Sequence, residues 1–277
     1  MAEATTSPPH WRTDLAAYRA VLGSRMQSQR SYRASFALDL ASSVLVGVVE
    51  LAEVWVLYRS VDRIGGLDLP QVLLVFGLAD LAFSLADMSF GHCDRMPALV
   101  RTGTLDALYL RPQPLLLQLV TSDISLRRLA RAAVGLTALV AGLTLTGVPW
   151  SAAAVLLLGL ALVSGYVIFA ATFVSAAGLQ FFVINGAELT NAYVYGGRYA
   201  ASQPASVWGR PLTVLFGFFF PMTFTAYLPV VTLLDLPGSD WLPSWLGWCA
   251  PVAALWSVLF AASCWRAGVR HYQGGGG

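Results

Sequence analysis

The sequence predicts an all-α integral membrane protein with six transmembrane helices, an N-terminal interfacial amphipathic helix, and both termini in the cytoplasm (N-in/C-in). Three observations support this fold class. Only 12% of the 277 residues are charged, about half the share of a soluble globular domain. The apolar residues come in runs of about 20, the length that crosses a hydrocarbon core. All 17 basic residues are arginine, and they concentrate in alternate segments.

The chain opens with a segment in which apolar residues recur at spacings of three and four. Trp11, Leu15 and Tyr18 belong to this stripe, and arginines lie between its members. This pattern is typical of a helix in the membrane interface; a cytosolic helix packed on a partner is the alternative. We assign residues 1–35 to a cytoplasmic segment that carries this elbow helix over 11–33. Residues 274–277 are a linker or a disordered tail.

Six apolar segments predict one six-helix transmembrane domain over residues 36–273. The predicted spans are 36–58, 71–91, 127–148, 151–183, 211–234 and 242–265. With the N-terminus inside, only Arg59 and Arg63 fall in outside loops. The remaining arginines, Arg131 and Arg198 included, are assigned to inside segments. The excess of arginine in cytoplasmic segments that membrane proteins show therefore favours both termini inside.

The longest polar connection, residues 92–127, lies on the cytoplasmic side in this topology. Leu105 and Leu108 can share one face of a short helix, with Asp106 near its positive N-terminal end. Pro112 disfavours helix at Arg111 and marks a stop. Two interpretations remain open for this helix: it floats at the interface, or it docks on a partner protein.

Acidic residues lie within the first two spans. Glu50 and Glu53 are one turn apart in the first span, and Asp80 lies in the second. Ionisable groups at membrane depth are costly, and they usually face a bundle interior or a wet cavity. They either line a substrate path or have a structural role as protonated or hydrogen-bonded groups. Because no arginine falls in the middle of a predicted span, we expect these acids to have no ion partner within the chain.

The fifth predicted span is aromatic and interrupted by two prolines. Pro221 and Pro229 should kink or break the helix, and a break near the outer side suits a gate. The aromatic residues around them, Phe220 and Tyr227 among them, form either a hydrophobic substrate surface or a face toward lipid or another subunit.

The composition excludes several kinds of chemistry. Without lysine, the chain cannot form the phosphate-binding loop GxxxxGK[ST] or a Schiff base. Only three histidines occur, and no Ser/His/Asp arrangement is legible. We therefore expect no catalytic residue, no metal site and no cofactor on this chain.

Two stretches resemble a known family. The stretch 100–112, VRTGTLDALYLRP, resembles the R-x-G-x-L-D-x-x-L-x-R-P signature of ABC transporter permeases, the membrane subunits of the type-2 class of bacterial ABC exporters. The matching residues are Arg101, Gly103, Leu105, Asp106, Leu108, Arg111 and Pro112. The stretch 221–229, PMTFTAYLP, is similar to the proline, aromatic run and Tyr-x-Pro that the family has before a double leucine. Thr104 departs from the pattern, because an acidic residue is expected there.

The resemblance implies a function in ATP-driven export. The helix around residues 101–110 would be a coupling helix that docks on separate ABC ATPase subunits, and the seven matching residues would be the ATPase-coupling residues. Two such subunits would carry the ATP and Mg²⁺, and a second permease, identical or related, would complete the path in the bacterial plasma membrane. Membrane lipid is the surrounding partner, and nucleic acid is not an expected one. The candidate translocation-path residues are Glu50, Glu53, Asp80, Phe220, Pro221 and Tyr227. The alternatives are a secondary transporter, which predicts inverted repeats, a channel-like protein, or a membrane-embedded enzyme.

Overall fold

The computed structural model describes residues 33–122, 128–183, 188, 190–238 and 241–272. Within these ranges the chain is helical and contains no β-strand; a single bridge joins Ile64 and Leu67. The elbow helix predicted over 11–33 lies outside the described residues except for its last position, and so does the tail 274–277. The α-helices are α1 Arg33–Ser60, α2 Leu69–Phe90, α3 Met96–Arg101, α4 Thr104–Tyr109, α5 Leu115–Ser122, α6 Arg128–Leu145, α7 Ala152–Leu179, α8 Gly196–Ala201, α9 Arg210–Leu212, α10 Tyr227–Leu233 and α11 Ala250–His271.

Five of the described helices are long and apolar enough to cross a membrane. Their apolar parts are Leu40–Ser60, Leu69–Arg101, Arg128–Leu145, Ala152–Leu179 and Ser244–His271. The sequence-based spans at 36–58, 71–91, 127–148, 151–183 and 242–265 correspond to these helices. A 3₁₀ turn, Gly91–Arg95, links α2 to α3, so the second span is longer than predicted.

The starts of two long helices follow from local sequence signals. The Asp68 carboxylate accepts a hydrogen bond from the Gln71 backbone N–H at 3.0 Å, and the Gln71 side chain accepts one from the Asp68 N–H at 3.0 Å. This reciprocal pair satisfies two N–H groups that the first turn of α2 would leave free. The Ser151 hydroxyl oxygen accepts a hydrogen bond from the Ala154 N–H at 3.1 Å and begins α7 in the same way.

Small residues set the closest helix contact, between α2 and α6. A side chain at Gly77 would meet the Leu139 backbone nitrogen at 2.2 Å, and one at Gly135 would meet the Leu81 nitrogen at 2.7 Å. The two helices therefore touch backbone to backbone, the arrangement that small residues allow in membranes. Because α6 residues of increasing number meet α2 residues of decreasing number, the two helices are antiparallel.

The other long helices surround this pair. Helix α7 packs against α2 through the fully buried rings of Phe83, Phe169 and Phe173, with the Phe83 and Phe169 centroids 5.2 Å apart. Helix α11 packs on α7, with Gly178 close to Gly268. Helix α1 packs mainly on α6 and is the least covered: 11% of its apolar part is buried, against 72% for the Leu69–Arg101 span.

The segment 190–206 runs along the bundle from one end to the other. We call the end that carries α3 to α5 the α4 end, and the end that carries the turn between α1 and α2 the Gly65 end. Near the α4 end, the Tyr195 hydroxyl donates to Asp94 at 2.6 Å. Farther along, Arg198 contacts Asp80 in the middle of α2. The Ser206 hydroxyl donates to the Gly65 carbonyl at 2.6 Å. The sequence pattern predicted an inside connection for this segment; in the structure it extends along the bundle and is not confined to one end.

The predicted span 211–234 is not one continuous helix. Helix α9 continues as a π-helical stretch, Thr213–Phe219, and stops where Phe220 takes an extended backbone conformation directly before Pro221. Proline disfavours helix at the preceding residue and lacks an N–H, which explains the break. A short 3₁₀ turn, Met222–Thr225, then leads into α10.

The two limbs of this broken segment open at the same end of the bundle. The Arg210 guanidinium lies 5.2 Å from the Trp241 ring centroid at the Gly65 end. The first limb reaches inward to Phe219, whose carbonyl accepts a hydrogen bond from Trp256 Nε1 at 3.0 Å. The second limb returns, and Thr232 near its end donates to the Ser244 carbonyl. Residues 210–233 therefore form a re-entrant hairpin and not a crossing.

Candidate functional site

Four charged side chains meet inside the helix bundle, one from each of four segments. Glu50 lies on α1, Asp80 on α2, Arg131 on α6 and Arg198 on α8. Arg131 Nη2 donates to the two Glu50 carboxylate oxygens at 2.9 and 3.1 Å. Arg198 Nη1 donates to Glu50 Oε1 at 3.1 Å, and its Nη2 contacts Oε2. We call these four residues the ion cluster.

Asp80 is the most buried member of the ion cluster. Arg198 donates to Asp80 Oδ1 from Nη2 at 2.6 Å and from Nε at 3.1 Å, and Arg131 Nε donates to it at 3.3 Å. The two guanidinium carbons lie 5.3 and 5.8 Å from the Phe83 ring centroid. Two carboxylates thus face two guanidinium groups, so the charges balance and the cost of placing them at this depth falls.

The expectation that the acids of the first two spans have no ion partner within the chain is wrong for Glu50 and Asp80. Arg131 lies one turn inside α6, and its long side chain reaches Glu50 and Asp80. Arg198 belongs to the segment that runs through the bundle. The arginine distribution assigned both residues to inside segments, so neither was predicted to be a partner of these acids. A usable signal existed: acids at membrane depth require partners, and these two arginines have apolar or small neighbours in sequence.

One side of the ion cluster is accessible. The side chain of Asp80 is fully buried, whereas those of Arg131 and Glu50 are 17% and 22% exposed. One turn farther along α1, Glu53 is exposed and accepts a hydrogen bond from the Tyr199 hydroxyl at 3.1 Å. A polar strip therefore continues from the ion cluster onto the outer surface of α1.

The six candidate path residues do not share one surface. Asp80, Pro221 and Tyr227 are buried within the chain. Phe220 is half-buried, and its ring centroid lies 4.5 Å from that of Tyr193. Of the six, Glu53 is exposed, and Glu50 and Phe220 are partly exposed on different elements, so these residues do not form one path wall.

The predicted loop helix is divided by a turn. Helix α3 ends at Arg101, and Gly103 has a φ of +65°, a conformation that glycine adopts without steric cost. Helix α4 then begins at Thr104 and ends at Tyr109, before Arg111 and Pro112, as the proline predicted. Arg101 and Gly103 therefore lie outside the helix in which the sequence analysis placed Arg101.

The apolar side chains of α4 differ in accessibility. Leu105 is fully buried in the core of the chain, and Leu108 is half-buried. Leu105 is thus not an anchor for a partner, because the helix needs it to pack on its own bundle. Leu110 is 88% exposed. We use the name loop surface for five of the exposed residues at this tip: Arg101, Thr104, Ala107, Leu110 and Arg111.

Tyr272, directly after the end of α11, contacts α4. The Tyr272 hydroxyl donates to Asp106 Oδ1 at 2.8 Å, and its ring stacks on that of Tyr109 with centroids 5.7 Å apart and planes 8° from parallel. Phe181, just beyond α7, lies 5.6 Å from the Tyr272 ring centroid. Burial and the Asp106 carboxylate raise the pKa of Tyr272 to about 12. The phenol is a hydrogen-bond donor at neutral pH and links α4 to α7 and α11.

These features define a class: a multi-pass helical membrane protein with a buried ion cluster and a helical loop surface at one end. A family comparison specifies it further, because the model of the ABC-2 family transporter protein matches residues 44–276. The chain belongs to this family of membrane permeases, whose members are generally non-catalytic transport subunits associated with ABC ATPase components. Searches of curated proteins and of solved structures give no significant match. Membership fits a multi-pass protein of the bacterial plasma membrane.

Proposed function

We propose that this chain is the permease subunit of an ABC exporter and forms half of a translocation path driven by separate ATPase subunits. The observation that carries the proposal is the loop surface at one end of the bundle. The exposed Leu110 directly follows the packed helix α4, and the exposed Arg101 and Arg111 lie before this helix and next to the leucine in sequence. The outward direction of transport follows from the resemblance to type-2 exporters.

We propose six membrane crossings, with the segment 190–206 as the fifth. Its contacts with Asp94, Asp80 and Gly65 support a passage from the α4 end to the Gly65 end. Five long helices alone would leave the two termini on opposite sides. A sixth crossing brings both to the α4 end, and the arginine-rich loop between α2 and α6 favours the cytoplasm for that end.

In this topology the loop surface meets the ATPase subunits. Leu110 would insert into an apolar groove on the ATPase subunit. Arg101 and Arg111 would contact acidic residues at the rim of that groove. The ATP and Mg²⁺ belong to the two ATPase subunits. Movement of α4 would reach the bundle through the buried Leu105 and through the contact of Asp106 with Tyr272.

The exposed polar strip of α1 supports a second permease, identical or related. Glu53 precedes the end of α1 by seven residues, about 10 Å along the helix axis. An exposed carboxylate at that depth is unfavourable against lipid and favourable beside a protein or a water-filled path. The same side of α1 carries exposed valines, so pairing of two permeases here would cover both the apolar surface and Glu53.

The ion cluster supports an alternating-access mechanism. It joins α1, α2, α6 and the segment 190–206 by charge-assisted hydrogen bonds. Packed elements joined in this way move as discrete bodies and not as a continuously deformable medium. The cluster would hold these four elements together while the bundle rocks against the second permease.

Copurification tests the proposal. The chain is coexpressed with the ABC ATPase encoded beside it, and the ATPase retained on the purified chain is measured. We expect Leu110→Asp to lower ATPase retention at least about tenfold, as for loss of an interface anchor. Leu117→Asp is the matched control, since Leu117 is 50% exposed and lies on α5 outside the loop surface. Equal retention by both variants would contradict the proposed docking.

A further inference from the structure

A cavity of about 370 Å³ opens on the side of the bundle, between α7 and α11. The small side chains of Ala170, Ala171 and Ala261 form its floor. Phe90 and Trp265 border it toward the α4 end. The lining is almost wholly apolar, and its volume lies in the range of ligand pockets.

The charged group of the cavity is at its α4 end. Arg266 lines the cavity and is exposed. Within the described part of the chain, no carboxylate pairs with it. The Tyr166 hydroxyl also borders the cavity and donates to the Ser89 hydroxyl at 3.3 Å. The cavity thus has an apolar body and, at its α4 end, a basic rim formed by Arg266.

The length and position of the cavity fit an acyl chain. Its lining on α11 extends from Val258 to Arg266, eight residues or about 12 Å along the axis. The lining on α7 extends from Tyr166 to Val174, the same distance. The arginine lies at the end of the bundle that carries α4, which the arginine distribution places at the cytoplasmic leaflet, where bacterial anionic lipids attract basic groups.

We infer that this cavity binds one anionic phospholipid of the cytoplasmic leaflet, with an acyl chain against the alanine floor and the phosphate on Arg266. Charge complementarity selects this occupant: a cation at the rim of an apolar groove between transmembrane helices matches an anionic headgroup attached to a hydrocarbon chain. This lipid binding is separate from transport, and it requires neither the ATPase subunits nor the transported substrate.

Native mass spectrometry of the purified full-length chain in detergent tests this inference. Phosphatidylglycerol and phosphatidylcholine with identical acyl chains are added in separate titrations. We expect the chain to retain one phosphatidylglycerol in preference to phosphatidylcholine. Arg266→Gln should weaken that binding about fivefold, whereas Arg270→Gln, one turn farther and outside the cavity, should not. Arg266→Lys should keep the preference because it keeps the charge.

A second pair of variants tests the apolar body. Ala262→Phe places a ring in the cavity and should lower phosphatidylglycerol retention, whereas Ala267→Phe on the exposed side of α11 should leave it unchanged. Equal binding of the two lipids, or equal effects of Arg266→Gln and Arg270→Gln, would overturn the inference. These results are independent of ATPase copurification, so failure here and failure of the proposed transport function are distinguishable.

Discussion

Removal of the Arg198 guanidinium should destabilise the protein strongly, because it leaves the ion cluster with an unbalanced negative charge. In the variant Arg198→Met, Asp80 keeps only the Arg131 Nε contact at 3.3 Å, and its side chain remains fully buried. Breaking a buried pair by removing one partner costs about 3–5 kcal/mol. For a chain of this size, 3 kcal/mol corresponds to a fall in melting temperature of about 6–12 °C. The assay is thermal unfolding of the purified protein in detergent.

A double variant distinguishes charge balance from loss of packing. Asp80→Asn combined with Arg198→Met leaves Glu50 paired with Arg131, and the remaining charges balance. The double variant should therefore melt above the value obtained by adding the two single effects. Arg210→Met is the control, since this exposed arginine contacts only the Trp241 ring in the described structure and should cost about 1 kcal/mol or less. A melting temperature of Arg198→Met equal to that of Arg210→Met would refute the stabilising role of charge balance in the ion cluster.

Three further changes have defined outcomes. Tyr272→Phe keeps the ring stacking and removes only the hydrogen bond to the α4 carboxylate, so it should lower transport-coupled ATP hydrolysis while changing unfolding by about 1 kcal/mol; an unchanged hydrolysis rate would contradict the coupling role. Gly135→Leu forces α6 away from the α2 backbone and should abolish the folded protein, whereas Gly159→Leu, which meets nothing within 4 Å, should be tolerated. A membrane-impermeant thiol reagent applied to whole cells should label Trp150→Cys and spare Leu110→Cys; the reverse pattern would refute the topology.

The long helices were predictable from sequence because lipid imposes a length and a composition on each of them. The five long spans correspond to apolar runs, whereas the capping pair of Asp68 and Gln71 begins α2 at Leu69, two residues before the predicted start. The end of α4 before Pro112 was also predictable, because proline disfavours helix at the residue that precedes it.

The passage of the segment 190–206 along the bundle was not predictable in this way. The segment 190–206 contains Arg198 and several small polar residues, so its hydropathy is that of a loop. It lies within the bundle because partners distant in sequence, Glu50 and Asp80, neutralise the arginine. The hairpin 210–233 is the opposite case: it has the composition of a span, but Pro221 breaks the helix and the chain returns.

The candidate site was predictable in part. The motif residues do form a structured loop at one end of the bundle, but the accessibility of Leu105 and Leu110 depends on how α4 packs, which periodicity alone does not give. The sequence shows that Glu50 and Asp80 lie within apolar spans. It does not show their ion pairs, because these join residues as far apart in sequence as Glu50 and Arg198.

Site-directed crosslinking at Leu110 tests the central claim most directly. The chain with Leu110→Cys is coexpressed with the ABC ATPase encoded beside it, and a short bifunctional thiol crosslinker is applied to membranes. We predict a crosslinked product of one permease and one ATPase chain, absent from Leu117→Cys and diminished when ATP hydrolysis moves the interface. A crosslink at Leu117→Cys but not at Leu110→Cys would contradict the assignment of the loop surface as the contact with the ATPase.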